Sequence, residues 1–234
     1  MYLKKSIHPF LFTWGIYTMV LLGAVLATEQ LELHRIMHVI HAPLMDAFFR
    51  TVTHLADGLV PTVIALALLF AVNLRAFLMV GGSCGISAIV VQILKRLFDQ
   101  DRPFMYKEQL GDMHWVDGVT LHHHFSFPSG HATAAFSMCM ALAVLIDQRN
   151  WSLALGVVAV VLAYSRVYLS QHFSEDILAG ATLGTATTYG MYVLLDHTSL
   201  AGRSWQAWRP FTGRSSAHRG RHQNSGRCRG SDQA

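Results

Sequence analysis

The chain has 234 residues, of which 52% are hydrophobic and only 14% charged. Soluble domains carry about 25% charged residues, so the composition excludes an ordinary water-soluble globular protein and places the chain in a membrane. The net charge is +4, but Arg203, Arg209, Arg214, Arg219, Arg221, Arg227 and Arg229 crowd the C-terminal tail against Asp232 alone, which describes a basic tail rather than a nucleic-acid-binding face. The 3 cysteines form no C-x-x-C pair, so neither a disulfide framework nor a thiolate metal site is expected.

Met1–His8 carries Lys4 and Lys5 and yields to the uncharged run Pro9–Ala27, about as long as a spanning helix needs. Val25-Leu26-Ala27 resembles a signal-peptide cleavage site, but the run exceeds the roughly 7–15 residues of an h-region, so a retained first helix is favoured. Glu29–Leu55 is charged, and its Leu33, Met37, Ile40, Leu44, Phe48 and Val52 recur at helical spacing with Pro43 as a break. It reads as an amphipathic surface segment, or equally as a connecting loop with helical turns.

Leu59–Val72 and Ala76–Leu94 are the second and third spans, joined by Asn73-Leu74-Arg75. Asp99–Phe125 is polar and includes His122-His123-His124. Adjacent histidines point in different directions, so no metal site is expected there. Ala132–Ile146 is the fourth span, Trp151–Tyr164 (running on to Leu169) the fifth and Ile177–Leu195 the sixth. The expected fold is all-α: a polytopic membrane bundle of about six helices, with a membrane-embedded domain over residues 1–196. An Arg-rich, disordered cytoplasmic tail is expected over 197–234. The amino end, the turns with Arg75 and Arg149, and the tail all fall on one side, which the positive-inside rule makes cytoplasmic. Lys95, Arg96 and Arg102 then lie on the opposite side against the trend, as if held there to bind something negative.

On that opposite face the topology gathers Lys95 from the end of the third span, Ser129 and His131 from the start of the fourth, Arg166 near the end of the fifth and Asp176 at the start of the sixth. Charged groups so placed are a functional-site hypothesis. Arg102 and Arg166 offer planar forks matched to phosphate oxygens, and Lys95 a compact charge. Ser129 adds a hydroxyl, and Gly130 lets backbone approach closely near a helix start, where anions are favoured. His172 and Asp176 are i,i+4, so a carboxylate can fix one ring nitrogen and free the other to attack. His131 is placed to protonate a leaving oxygen and then to deprotonate water. The set describes covalent phosphoryl transfer through a phosphohistidine, without metal. Taken singly, each part has a plainer reading: a structural His172–Asp176 hydrogen bond, a helix cap at Ser129, a snorkelling Lys95.

Lys95-x6-Arg102-Pro103, Pro128-Ser129-Gly130-His131 and Ser165-Arg166-x5-His172-x3-Asp176 together resemble the three-part signature of the type 2 phosphatidate phosphatase superfamily, over about Leu55–Leu195. The resemblance implies His172 as nucleophile, Asp176 as its orienting partner and His131 as general acid. It implies Lys95, Arg102, Ser129, Gly130 and Arg166 as ligands of the phosphoryl oxygens, with no cofactor and no metal, and vanadate as a mimic. The expected activity is removal of a terminal phosphate from a lipid phosphate or pyrophosphate at the extracytoplasmic face of a bacterial inner membrane, with both termini cytoplasmic. Phosphotransfer to another lipid and a non-enzymatic transporter or scaffold are the alternatives.

Overall fold

Within lipid a backbone has no water to bond, so charge-free runs fold into helices that satisfy every peptide group internally. The structure, a computed structural model, describes residues 7–210. Its helices are α1 (Ile7–Ala27), α2 (Gln30–Met37), α3 (Pro43–Val52), α4 (Leu59–Ala71), α5 (Leu74–Phe77), α6 (Ser83–Phe98), α7 (Lys107–Leu110), α8 (Gly130–Ile146), α9 (Arg149–Tyr168) and α10 (Ser174–His197). Among the described residues there is no strand. Each of the six segments expected to span is helical; the third consists of α5, the π-helical turn Leu78–Gly82 and α6 in direct succession. Length and apolarity by themselves identify three crossings, Ile7–Ala27, the stretch Leu74–Leu110 and Arg149–Tyr168. A fourth is added if Pro43–Ala56 and Leu59–Ala71, bent by 47° at their junction, count as one.

The bundle wraps α8, most of whose residues are buried against α10, α9, α6 and α1. Its outer surface is apolar: Met19 is 77% exposed, Leu97 72% and Ile89 64%, a pattern that water would penalise and acyl chains accept. The chain is an integral membrane protein. The α8–α10 seam is built from small residues. An ideal Cβ on Gly180 would sit 2.6 Å from the Ser129 carbonyl oxygen, and one on Gly184 would sit 2.4 Å from that of Thr133. The backbones therefore touch, and Ser137 and Thr188 hydrogen-bond across the seam at 3.2 Å.

Glu29–Leu55, expected as an amphipathic piece or a loop, forms α2, α3 (with Pro43 at its first turn) and the start of a 3-10 turn, Thr53–Ala56. It caps one end of the bundle, where His38 Nε2 meets the Tyr168 carbonyl and the Ser170 hydroxyl, both at 3.1 Å. At the other end Arg75 grips Asp196 in a two-pronged ion pair, Nε to Oδ1 at 2.8 Å and Nη2 to Oδ2 at 2.6 Å. Residues 198–210, which the sequence assigns to the tail, turn back onto that end, with Trp208 accepting a backbone hydrogen bond from Leu74 at 2.9 Å. The tail beyond residue 210, with five of its seven arginines, lies outside the described residues.

Candidate active site

His172 stands in the short connection between α9 and α10. The connection folds tightly because the Gln171 and His172 amides both donate to the Arg166 carbonyl, at 2.9 and 3.2 Å. His172 Nδ1 lies 3.2 Å from Asp176 Oδ2 and 3.3 Å from the Ser126 hydroxyl. Asp176 Oδ2 also accepts from the Phe173 amide at 2.9 Å and from the Ser126 hydroxyl. The carboxylate thus caps α10 and takes the His172 Nδ1–H at once, which leaves Nε2 as the nitrogen able to attack. His172 is 2% exposed. Burial, reinforced by the charges of Arg102, Arg166 and Lys95, pushes its pKa well below the ordinary histidine value, so the ring is neutral.

Those three cations converge from separate segments. Lys95, in the last turn of α6, donates to the Phe125 carbonyl and, at 3.4 Å, to that of Ser126. Arg102 reaches the His124 carbonyl through Nε at 2.9 Å and the Gln171 carbonyl through Nη1 at 3.1 Å. Arg166 Nη1 donates to the Thr53 hydroxyl at 2.7 Å, while its buried Nε has no partner among the described residues. Among the described residues none of the three makes a salt bridge. Neutral oxygens orient these cations, with Asp176 and Asp57 acting on them only from beyond ion-pair distance, and cations held so at low dielectric attract an anion strongly.

The start of α8 forms the next wall. Ser129 caps the helix by accepting from the Ala132 amide at 3.4 Å, and its own amide donates to the Asp176 carbonyl at 3.0 Å. A Cβ on Gly130 would meet only Val91, at an ordinary 3.8 Å, so packing does not require glycine there. What glycine leaves is open backbone at a positive helix end. His131 Nε2 lies 2.6 Å from Asp57 Oδ1. Lys95, Arg102, Ser129, Gly130, His131, Arg166, His172 and Asp176 therefore meet at one end of the bundle.

Sequence reasoning missed Ser126, Thr53 and Asp57. Ser126 is buried three residues before Ser129, and Asp57 is the sole acidic residue between Asp46 and Asp99, a signal that was there to read. Two of the three successive histidines serve through their backbone: the His123 carbonyl accepts from the Arg102 amide at 2.8 Å and that of His124 from its side chain. Their rings diverge, His124 to Asp101 at 2.7 Å and His123 onto Phe104.

Comparison with known proteins places this geometry. The family described as the PAP2 superfamily matches residues 76–200, a stretch that contains all eight of those residues. The chain is 42% identical over 102 residues to the Escherichia coli protein provisionally named undecaprenyl-diphosphatase YbjG, covering 42% of this chain and 46% of that one. It is 28% identical over 155 residues to the lipid A 4'-phosphatase of Bacteroides thetaiotaomicron, covering 62% of this chain and 67% of that one. It thus spans about half to two thirds of the length of these curated relatives. The crystal structure of the first transmembrane PAP2 type phosphatidylglycerolphosphate phosphatase from Bacillus subtilis superposes with a TM-score of 0.59 at 24% identity, over 82% of this chain and 96% of that chain, a likeness of fold.

Proposed function

The chain belongs to the PAP2 superfamily, and from that premise we propose that it removes the terminal phosphate of a lipid phosphate or lipid pyrophosphate through a phosphohistidine on His172. The observation that carries this reading is the meeting of a neutral, carboxylate-tethered His172 with three cations that make no direct salt bridge among the described residues. Lys95, Arg102 and Arg166 hold the phosphoryl oxygens, joined by the Ser129 hydroxyl and the backbone at Gly130. As charge spreads over those oxygens in the transition state, fixed donors in a water-poor site stabilise it without reorganising. His172 Nε2 attacks phosphorus, Asp176 and Ser126 steady the ring, and His131 gives a proton to the departing oxygen. In the second half His131 takes a proton from the water that releases phosphate.

A lipid substrate suits the setting, since the site lies at the end of an apolar bundle read as membrane-embedded. The names of the two relatives join a lipid diphosphate and a lipid monophosphate to the same reacting group. We place the site on the extracytoplasmic face of a bacterial inner membrane, with both termini cytoplasmic, because Arg75 and Arg149 mark the opposite end of the bundle. The test is phosphate release by purified protein in detergent with EDTA present, on phosphatidate, phosphatidylglycerol phosphate and undecaprenyl pyrophosphate. Release that survives EDTA and disappears in His172→Ala is expected. Release by the variant at the wild-type rate would remove His172 from the mechanism.

A further inference from the structure

Both oxygens of Asp57 are engaged: Oδ1 lies 2.6 Å from His131 Nε2 and Oδ2 lies 2.8 Å from His54 Nδ1. Asp57 follows the turn Thr53–Ala56 and precedes α4, at the 47° bend of the chain. The same turn sends Thr53 to Arg166, so one short segment touches two walls of the site across more than 70 residues of sequence. The Asp57 and His131 side chains keep 40% and 29% of their surface exposed, whereas His172 and Asp176 keep 2% and 0%. The outer pair is therefore open to water and the inner pair is sealed from it, which suits a ring that exchanges protons beside one that bonds to phosphorus.

The hydrogen bond also decides which nitrogen works. With Nε2 turned to a carboxylate, Nδ1 is the ring nitrogen left to exchange a proton with substrate. Burial and the charges of Arg166 and Arg102 oppose the imidazolium it becomes, and Asp57 is the carboxylate that favours it. His54 takes the second Asp57 oxygen and stops the carboxylate from rotating away.

We propose that Asp57 is a positioning residue for His131: it holds Nε2–H, leaves Nδ1 to carry the proton, and balances the charge of the imidazolium that enters the first half-reaction and is restored by the second. This rests on the phosphatase reading above. In the first half the His172 Nε2–P bond forms, the P–O bond to the lipid breaks, and the Nδ1 proton of charged His131 passes to the lipid oxygen. In the second a water oxygen bonds to phosphorus, the N–P bond breaks, and a proton of that water returns to Nδ1. Asp57 stays ionised and keeps the Nε2–H bond throughout. It does for the acid–base histidine what Asp176 does for the nucleophile, from a segment outside the three-part signature.

The test compares leaving groups, using the full chain in detergent. Diacylglycerol phosphate loses an alkoxide that needs a proton; p-nitrophenyl phosphate loses a phenolate that does not. Asp57→Asn is expected to lower kcat on the lipid by about 100-fold with KM changed by less than about threefold. The first-turnover burst of nitrophenolate is expected to fall at least about tenfold less than the lipid rate, because departure of that group needs no acid. Asp57→Glu should recover part of the lipid rate, and His54→Gln should show the same pattern more weakly. Equal losses on both substrates, a loss carried only by KM, or a loss that follows the melting temperature across the variants would each overturn the assignment. Full activity of Asp57→Asn beside an active wild type defeats the assignment alone. A wild type that releases no phosphate from either substrate defeats the phosphatase reading, and the assignment with it.

Discussion

The Ser129 amide donates to the Asp176 carbonyl at 3.0 Å, so the first turn of α8 and the first turn of α10 are joined by main chain inside the site. In the proposed mechanism one turn carries the backbone that faces the phosphoryl group, and the other carries the carboxylate that orients the nucleophile. Gly180 and Gly184 make this possible, because they let the two helices approach to backbone contact. Seam and site are one construction.

Two glycine substitutions should therefore behave in opposite ways. Gly180→Ala drives a methyl into the Ser129 carbonyl and the side chains of Ala132 and Thr133, which should cost about 1–3 kcal/mol. Gly130→Ala meets no close neighbour, so the melting temperature in detergent should hold while phosphate release falls. Equal melting temperatures for the two variants would contradict the account of the seam.

The neutrality of His172 fixes a pH dependence. Its folded pKa is depressed by burial and by the nearby cations, whereas the unfolded chain protonates it near roughly 6.5. Its contribution to stability is thus fully present above that value and is lost as pH falls below it, at about 1.4 kcal/mol per pH unit. Melting temperature should drop between about pH 7 and about pH 5, and His172→Gln should remove about one proton from that slope. By the same shift the proposed nucleophile stays unprotonated as pH drops through the ordinary histidine range, so the acid limb of activity due to this group lies lower. An unchanged slope in the variant would contradict a neutral His172.

Ser126→Ala removes one of the donors to Asp176 Oδ2 and the hydroxyl beside His172 Nδ1. A hydrogen bond to a charged group contributes about 1.5–3 kcal/mol, so kcat should fall by about 10- to 100-fold with KM little changed. Steady-state kinetics on a lipid phosphate checks this, and an unaltered kcat would show that Asp176 needs no help from Ser126.

Arg166→Lys keeps the charge and loses the fork. Arg166 Nη1 is held by Thr53 while Nε has no partner among the described residues, a geometry that lysine cannot copy. kcat/KM should fall by about 100-fold, and inhibition by vanadate should weaken in parallel. Undiminished vanadate inhibition would place Arg166 outside the phosphoryl site.

The helices were readable because charge-free runs have few alternatives in lipid, and the eight signature residues because they fall in three short runs. Contacts across the fold were not. Ser126 reaches His172 over 46 positions, Asp57 reaches His131 over 74 and Thr53 reaches Arg166 over 113; no local pattern encodes such pairings. The apolarity of α10 was diluted for a physical reason as well. Its Gly180, Gly184 and Thr188 face α8 rather than lipid, so α10, although read from the sequence as the sixth span, is not among the helices that length and apolarity alone identify as crossings. The residues after Asp196 looked like a tail because arginine, serine and glycine dominate them, yet Gln206 is buried and bonds to the Leu195 carbonyl at 3.0 Å.

The central claim is a covalent phosphohistidine, and the stereochemical course at phosphorus tests it most directly. A lipid phosphate made chiral at phosphorus with sulfur and oxygen isotopes is turned over by the wild type, and the configuration of the released thiophosphate is read. Attack by His172 followed by attack of water inverts phosphorus twice, so net retention is the predicted result. Net inversion would mean that water attacks the lipid phosphate directly, and His172 would then be a ligand or a base rather than the nucleophile.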